Sequence, residues 1–224
     1  MTSTDDNNQP SPLVAEHAMR LAHVLAARLC HDLAGAIGSL GGALELAMQD
    51  PDSTQEALAV AHEASTALHD RLRLLRTAFG PAEQTVSRAE LHQLLATLPR
   101  PRRVQIDLGL PADGAPVPGP VTALLLCLGL LGVESLAGEG LMSLEQSGAG
   151  EFVLQISGPR ASWPPLFASH LAHPASALEH ASDQGPRGVL GPLVVLMAYA
   201  AGIRLRLLLG PQPDYVPPLL MSFG

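Results

Sequence analysis

The chain contains no lysine, so all 13 of its basic residues are arginine. That absence excludes a Walker A loop, a Schiff-base nucleophile and a kinase-type phosphate lysine, each of which needs a primary ammonium group. Aromatic residues make up only 3% of the chain, so the core that its 47% hydrophobic residues can fill must consist mainly of Leu, Ala and Val. Cysteine is scarce. Cys30 and Cys127 stand alone without CxxC spacing, which reads as two small buried thiols in a reducing compartment. Basic excess is also missing, because the net charge is −8, and a duplex nucleic-acid partner would favour a basic face. The longest apolar run, Val121 to Val133, falls short of the roughly 20 residues a membrane span needs. Met1 is followed by a polar, acidic stretch, unlike a signal peptide. These absences imply a cytoplasmic protein with neither a nucleic-acid nor a membrane partner.

The length of 224 residues suits one good-sized domain or two small ones. Residues 1–11, with Asp5, Asp6, Asn7 and Asn8, read as a disordered tail. Pro12 fits a first helical turn, and the pattern that follows predicts a helix to about Met48. Gln49-Asp50-Pro51-Asp52-Ser53 marks a turn, with Ser53 or Thr54 as N-cap. A second helix is predicted from about Gln55 to Ala78. Its positions Leu58, Ala61, Ser65, Leu68, Leu72, Leu75 and Phe79 keep a 3-4 spacing, the seam of an antiparallel hairpin. A lone hairpin leaves such a seam half exposed, so pairing with a second copy into a four-helix bundle is expected.

Beyond the linker Gly80 to Ser87 the pattern changes to short helices and strands. Arg88–Leu98 and Val121–Leu136 read as helices, the latter apolar apart from Thr122, Glu134 and Ser135. Val104–Leu108, Leu141–Glu145, Phe152–Ile156, Ile203–Leu209 and Leu219–Phe223 read as strands. Pro165–Ala181 reads as a helix interrupted at Pro174, and Pro192–Ala201 as a second buried helix. The expected fold class is α+β: a helical-hairpin domain over residues 12–80, followed by a two-layer α/β sandwich over residues 86–224.

Within the first helix, Leu29, Leu33, Ile37, Leu40 and Leu44 fall within about 80° of one another at 100° per residue. His31 lies about 200° away, among Val24, Ala27, Gly35, Gly38 and Gly42. Each glycine costs roughly 1 kcal/mol relative to alanine in a helix interior, so its presence calls for a reason. One reason is access for another protein to His31; the other is close packing between helices. Asp32 is the natural group to orient the imidazole, although neighbours in sequence point about 100° apart on a helix. A solvated surface acid is the alternative reading. Arg28, one turn before His31, could stabilise phosphate charge, or could be exposed or paired with a glutamate. The histidines at 62, 69, 92, 170, 173 and 180 read as solvated. His170-x-x-His173 has metal-ligand spacing but no acidic or cysteine partner nearby.

The run Leu25-Ala26-Ala27-Arg28-Leu29-Cys30-His31-Asp32-Leu33, then Gly35-Ala36-Ile37-Gly38, Leu44-Glu45-Leu46 and Thr77-Ala78-Phe79-Gly80, resembles the ChpT-type histidine phosphotransferases. The resemblance covers about residues 20 to 210, by motif in the first helix and by layout beyond it. It implies a degenerate histidine-kinase-like sandwich behind a dimeric four-helix bundle, a phosphoacceptor role for His31 and an acidic companion in Asp32. Partner docking at Arg28, Gly35 and Gly38 is expected from the bare helix face itself, and the resemblance implies the receiver domain of a hybrid histidine kinase upstream and response regulators downstream. Ala36 departs from the proline usual in that family, and Gly35 from the Thr or Asn of many kinases. The Val121–Leu136 helix has no Asn for Mg²⁺, Ser157-Gly158-Pro159-Arg160 replaces an Asp-x-Gly box, and the only asparagines are Asn7 and Asn8. No cofactor is therefore expected in this chain, with Mg²⁺ belonging to the partner receiver. Gly185-Pro186-Arg187-Gly188 is glycine-rich but a weak candidate for nucleotide. The alternatives are a divergent ATP-dependent histidine kinase and a non-catalytic dimeric adaptor for response regulators.

Overall fold

The structure, a computed structural model, describes residues 12–81, 85–181, 183, 185–209 and 215–224. The predicted disordered tail and the middle of the linker fall outside these. Helix α1 (Pro12–Gln49) and helix α2 (Thr54–Phe79) form the hairpin. At 1.5 Å per residue α1 extends about 57 Å and α2 about 39 Å. A 3₁₀ turn, Pro51–Ser53, joins them. Asp50 caps that turn, accepting from the Asp52 amide at 3.1 Å and the Ser53 hydroxyl at 2.6 Å. These bonds hold the Asp50 carboxyl below its ordinary value, the Ser53 hydroxyl contributing most. Ser53 itself makes no side-chain cap to α2.

After α3 (Arg88–Ala96) come strand β1 (Val104–Gly109), helix α4 (Gly119–Ser135), and the hairpin β2 (Gly140–Gly148) and β3 (Glu151–Ser157). Short helices α5 (Phe167–Ala172), α6 (Pro174–His180) and α7 (Gly185–Gly188) lead to α8 (Leu190–Ala200), then β4 (Arg204–Leu207) and β5 (Leu219–Ser222). The sheet order is β1-β2-β3-β5-β4, with β1 and β2 parallel and every other pair antiparallel. The α4 crossover accounts for the parallel pair, since parallel neighbours need a long connection. The fold is thus mixed α+β, with helices packed over a five-stranded sheet.

Helix α4 is apolar on all sides and correspondingly buried, from Leu124 to Leu128 at no more than 1% exposure. It is the hub of the core. Leu74, Leu75 and Ala78 of α2 meet it from the hairpin, Leu190 and Val194 from α8, and Met142, Phe152 and Leu154 from the sheet. Leu25, Leu29 and Leu33 of α1 pack on the same cluster, so the hairpin's lower half and the sandwich share one core. The upper half does not. Ile37 and Leu44 are 55% and 43% exposed, and on α2 Leu58 is 50% exposed. Ala43, Ala57 and Ala61 are buried outside that shared core, so the upper hairpin covers small residues between its own helices and leaves large apolar ones exposed.

Two sequence expectations are corrected. Cys30 is exposed rather than buried, because it lies outside the arc that Leu29 and Leu33 turn to the core; Cys127 is buried, which pushes its thiol up to about 12. His170 is 1% exposed rather than solvated. It stacks on His180 with ring centroids 5.6 Å apart, and neither ring nitrogen has a hydrogen-bond partner among the described residues.

Candidate functional site

His31 sits on α1 with its side chain 68% exposed. From it, Gly35, Gly38 and Gly42 run up the helix at 4, 7 and 11 residues, all within about 60° of one another. A Cβ built on Gly35, Gly38 or Gly42 meets no atom within 4 Å. The glycines therefore clear space beside the histidine within this protomer; they do not admit α2.

One turn below, Arg28 is buried, and its guanidinium is the centre of a knot. Nε donates to Asp32 Oδ2 at 2.8 Å, Nη2 pairs with Glu134 Oε1, and Nη1 donates to the Pro186 carbonyl at 3.2 Å. Three segments far apart in sequence are joined here: α1, the end of α4, and α7. Burial pulls the Arg28 guanidinium downward, but its bonds to Glu134 and Asp32 more than restore it, so its pKa lies above the ordinary value. Burial also raises the Glu134 carboxyl, against the pull of Arg28.

Asp32 faces two ways. Its Oδ2 holds Arg28, and its Oδ1 lies 3.6 Å from Nδ1 of His31, beyond hydrogen-bond reach. From α2, Arg71 Nη1 donates to the Asp32 carbonyl at 2.8 Å, which pins this turn of α1 to its neighbour. Asp32 is only 16% exposed, so it is neither the solvated acid nor a free group of the surface.

A cleft of about 820 Å³ opens between α1 and the sandwich, lined by Ala27, Arg28, His31, Asp32, Glu134, Pro186 and Arg187. His31, Asp32 and Arg28 are thus brought to one place. Gly35 and Gly38 lie above it on the same face of α1. The sequence reasoning missed Glu134, Arg71 and α7. Glu134 had a signal, as the one carboxylate on an otherwise apolar helix. Gly185-Pro186-Arg187-Gly188 forms a single helical turn whose carbonyl meets Arg28.

No known protein-family profile matches the chain. It is 24% identical over 196 residues to the protein phosphotransferase ChpT of Brucella abortus (strain 2308), across 84% of this chain and 90% of that one. A solved structure of a bacterial phosphotransferase superposes with a TM-score of 0.63 at 21% identity, covering 92% of this chain and 96% of the other. That likeness shows a common fold. A histidine kinase domain from Erythrobacter litoralis covers 94% of this chain and 93% of its own at 15% identity, with a TM-score of 0.40, too low to establish one. No helix among the described residues is long and apolar enough to cross a membrane.

Proposed function

We infer that this chain is a ChpT-type histidine phosphotransferase of a phosphorelay, with His31 as the residue that carries the phosphoryl group. The observation that carries this reading is His31 itself: an exposed imidazole at the foot of a side-chain-free row of glycines, on a helical turn fixed from three sides. The row leaves room for a folded partner to bring its own reactive carboxylate to the ring. The fixed turn keeps the nucleophile in one place, and positioning is most of what phosphoryl transfer requires.

Asp32 is a positioning residue in this scheme. It stands beside Nδ1, so the opposite ring nitrogen, Nε2, is the one left to attack. Response-regulator receivers are the partners, one donating and another accepting. The receiver supplies Mg²⁺ and the acidic pocket, and this chain needs neither metal nor nucleotide. ATP plays no part, since α4 offers no asparagine and β3 runs into Ser157-Gly158-Pro159-Arg160. Two copies pair through the hairpin, where Ile37, Leu44 and Leu58 stand uncovered in its upper half and Leu72 lower down, beside Arg71. The cytoplasm, where receivers reside, is the compartment this role requires.

The test is incubation of the full chain with a phosphorylated receiver domain, followed by assay for acid-labile, alkali-stable phosphate. Label on the wild type and none on His31→Ala supports the reading. Undiminished label on His31→Ala overturns it.

A further inference from the structure

The fixed charges around the cleft are out of balance for the group it has to receive. Arg28 contributes one positive charge, Asp32 and Glu134 one negative charge each, so these three sum to one negative. Arg28 is also fully engaged, with its fork divided among Asp32, Glu134 and the Pro186 carbonyl. A phosphoryl group arriving at His31 spreads negative charge over three equatorial oxygens and would meet this negative floor without a donor to receive it.

One charged side chain on the cleft wall is left. Arg187 is exposed, lines the cleft with His31, and makes no hydrogen bond or ion pair among the described residues. Its place is not accidental to the knot. The Pro186 carbonyl, one residue before it, is bonded to Arg28, one turn before His31. The backbone that carries Arg187 is thus tied to the turn of α1 that carries the phosphoacceptor. Arg71, the other nearby cation, donates to the Asp32 carbonyl and does not line the cleft.

We infer that Arg187, supplied by the sandwich domain, is the cation that meets the phosphoryl group at His31. The inference rests on the phosphotransfer reading above and adds a residue to it. In the step, the lone pair of the unprotonated ring nitrogen forms the N–P bond as the acyl O–P bond breaks. The electron pair of that bond stays on the receiver's carboxylate, and the ring retains its N–H proton on the other nitrogen until solvent removes it. Arg187 donates from its planar fork to the phosphoryl oxygens, a geometry that lysine's single ammonium reproduces only in charge. The second domain, without a nucleotide to bind, thereby has a part in the chemistry.

The full-length protein is phosphorylated with potassium phosphoramidate, and the phosphohistidine is titrated by ³¹P NMR in wild type, Arg187→Ala, Arg187→Gln and Arg187→Lys. Transfer from a single-domain receiver loaded with acetyl phosphate is timed in parallel, and affinity for the unphosphorylated receiver is measured separately. Loss of Arg187 is expected to raise the phosphoryl titration midpoint and to slow transfer about ten- to hundredfold, below the roughly hundred- to thousandfold for a water-excluded donor because Arg187 is exposed. Lysine restores part of the midpoint shift. Receiver affinity changes less than threefold. Midpoint and rate common to all four proteins overturn the role of Arg187 while leaving His31 its label, as does a loss confined to receiver affinity. If Arg187→Ala melts early, the glutamine and lysine variants decide by the ³¹P midpoint, and a value shared with wild type overturns the role. A wild type that shows no phosphohistidine overturns the phosphotransfer reading and the Arg187 role with it.

Discussion

Arg28 and His31 stand one turn apart on α1, yet substitution at each is expected to have opposite consequences. Arg28→Ala leaves the Asp32 and Glu134 carboxylates facing each other without their shared cation. Removing one partner of a fully buried pair costs about 3–5 kcal/mol, and the partial exposure of Glu134 lowers that to about 2 kcal/mol here, readable by urea denaturation. Arg28→Lys recovers less than half of this, because one ammonium cannot reach three acceptors held by three segments. His31→Gln, at an exposed position, is expected to shift stability by no more than about 0.5 kcal/mol while abolishing phosphate uptake. His170 adds a pH dependence. Burial, and secondarily the neighbouring His180, hold its pKa below the ordinary value, so the native state refuses a proton that the unfolded chain accepts. The stability it lends is full above about pH 6.5 and is lost as the pH falls below that. His170→Leu is expected to flatten the stability profile below about pH 6.5 in denaturation series, relative to wild type.

At the level of elements, the two functions of glycine separate. Gly38 is in open space, and Gly38→Leu is expected to raise helix stability by about 0.5 kcal/mol while blocking the receiver's approach to His31. A melt and a transfer assay on that one variant check the pairing of gain and loss. Gly150 closes the β2–β3 turn at φ +74°, and a Cβ there would stand 2.2 Å from the Phe223 carbonyl oxygen. Gly150→Ala is expected to cost about 2 kcal/mol or more, measured the same way. Element positions were legible in the sequence because their signals are local. Pro12 and Gly80 bound the hairpin, the apolar run names α4, and Gly148-Ala149-Gly150 joins two alternating strands. Gly185–Gly188 read only as glycine-rich because one turn is too short to show a period. Arg28 had several open readings for a related reason: its partners lie 106 and 158 residues away, and no periodicity carries that information. His170 read as solvated because its helices, interrupted at Pro174, present no stripe from which burial could be inferred.

For the whole molecule, the expected dimer has a test that does not confuse pairing with folding. Leu58 and Leu72 are substantially exposed in the protomer, whereas Leu74 and Leu75 are in the core. Leu58→Glu with Leu72→Glu is therefore expected to give a folded monomer by light scattering, with the wild type a dimer at micromolar concentration. A stable wild-type monomer would count against pairing through the hairpin.

The Arg28 knot also limits how such a protein can be re-engineered or can diverge. Its three acceptors come from the hairpin, the end of α4 and α7, so the boundary between the two domains is not a seam at which parts can be exchanged freely. A chimera that grafts this hairpin onto a foreign sandwich lacking a carboxylate at the position of Glu134 leaves Arg28 short of a partner, and the turn bearing His31 loses one of its supports. Recombination that keeps hairpin and sandwich from one parent preserves the knot, while crossovers between them separate Arg28 from Glu134 and the Pro186 carbonyl.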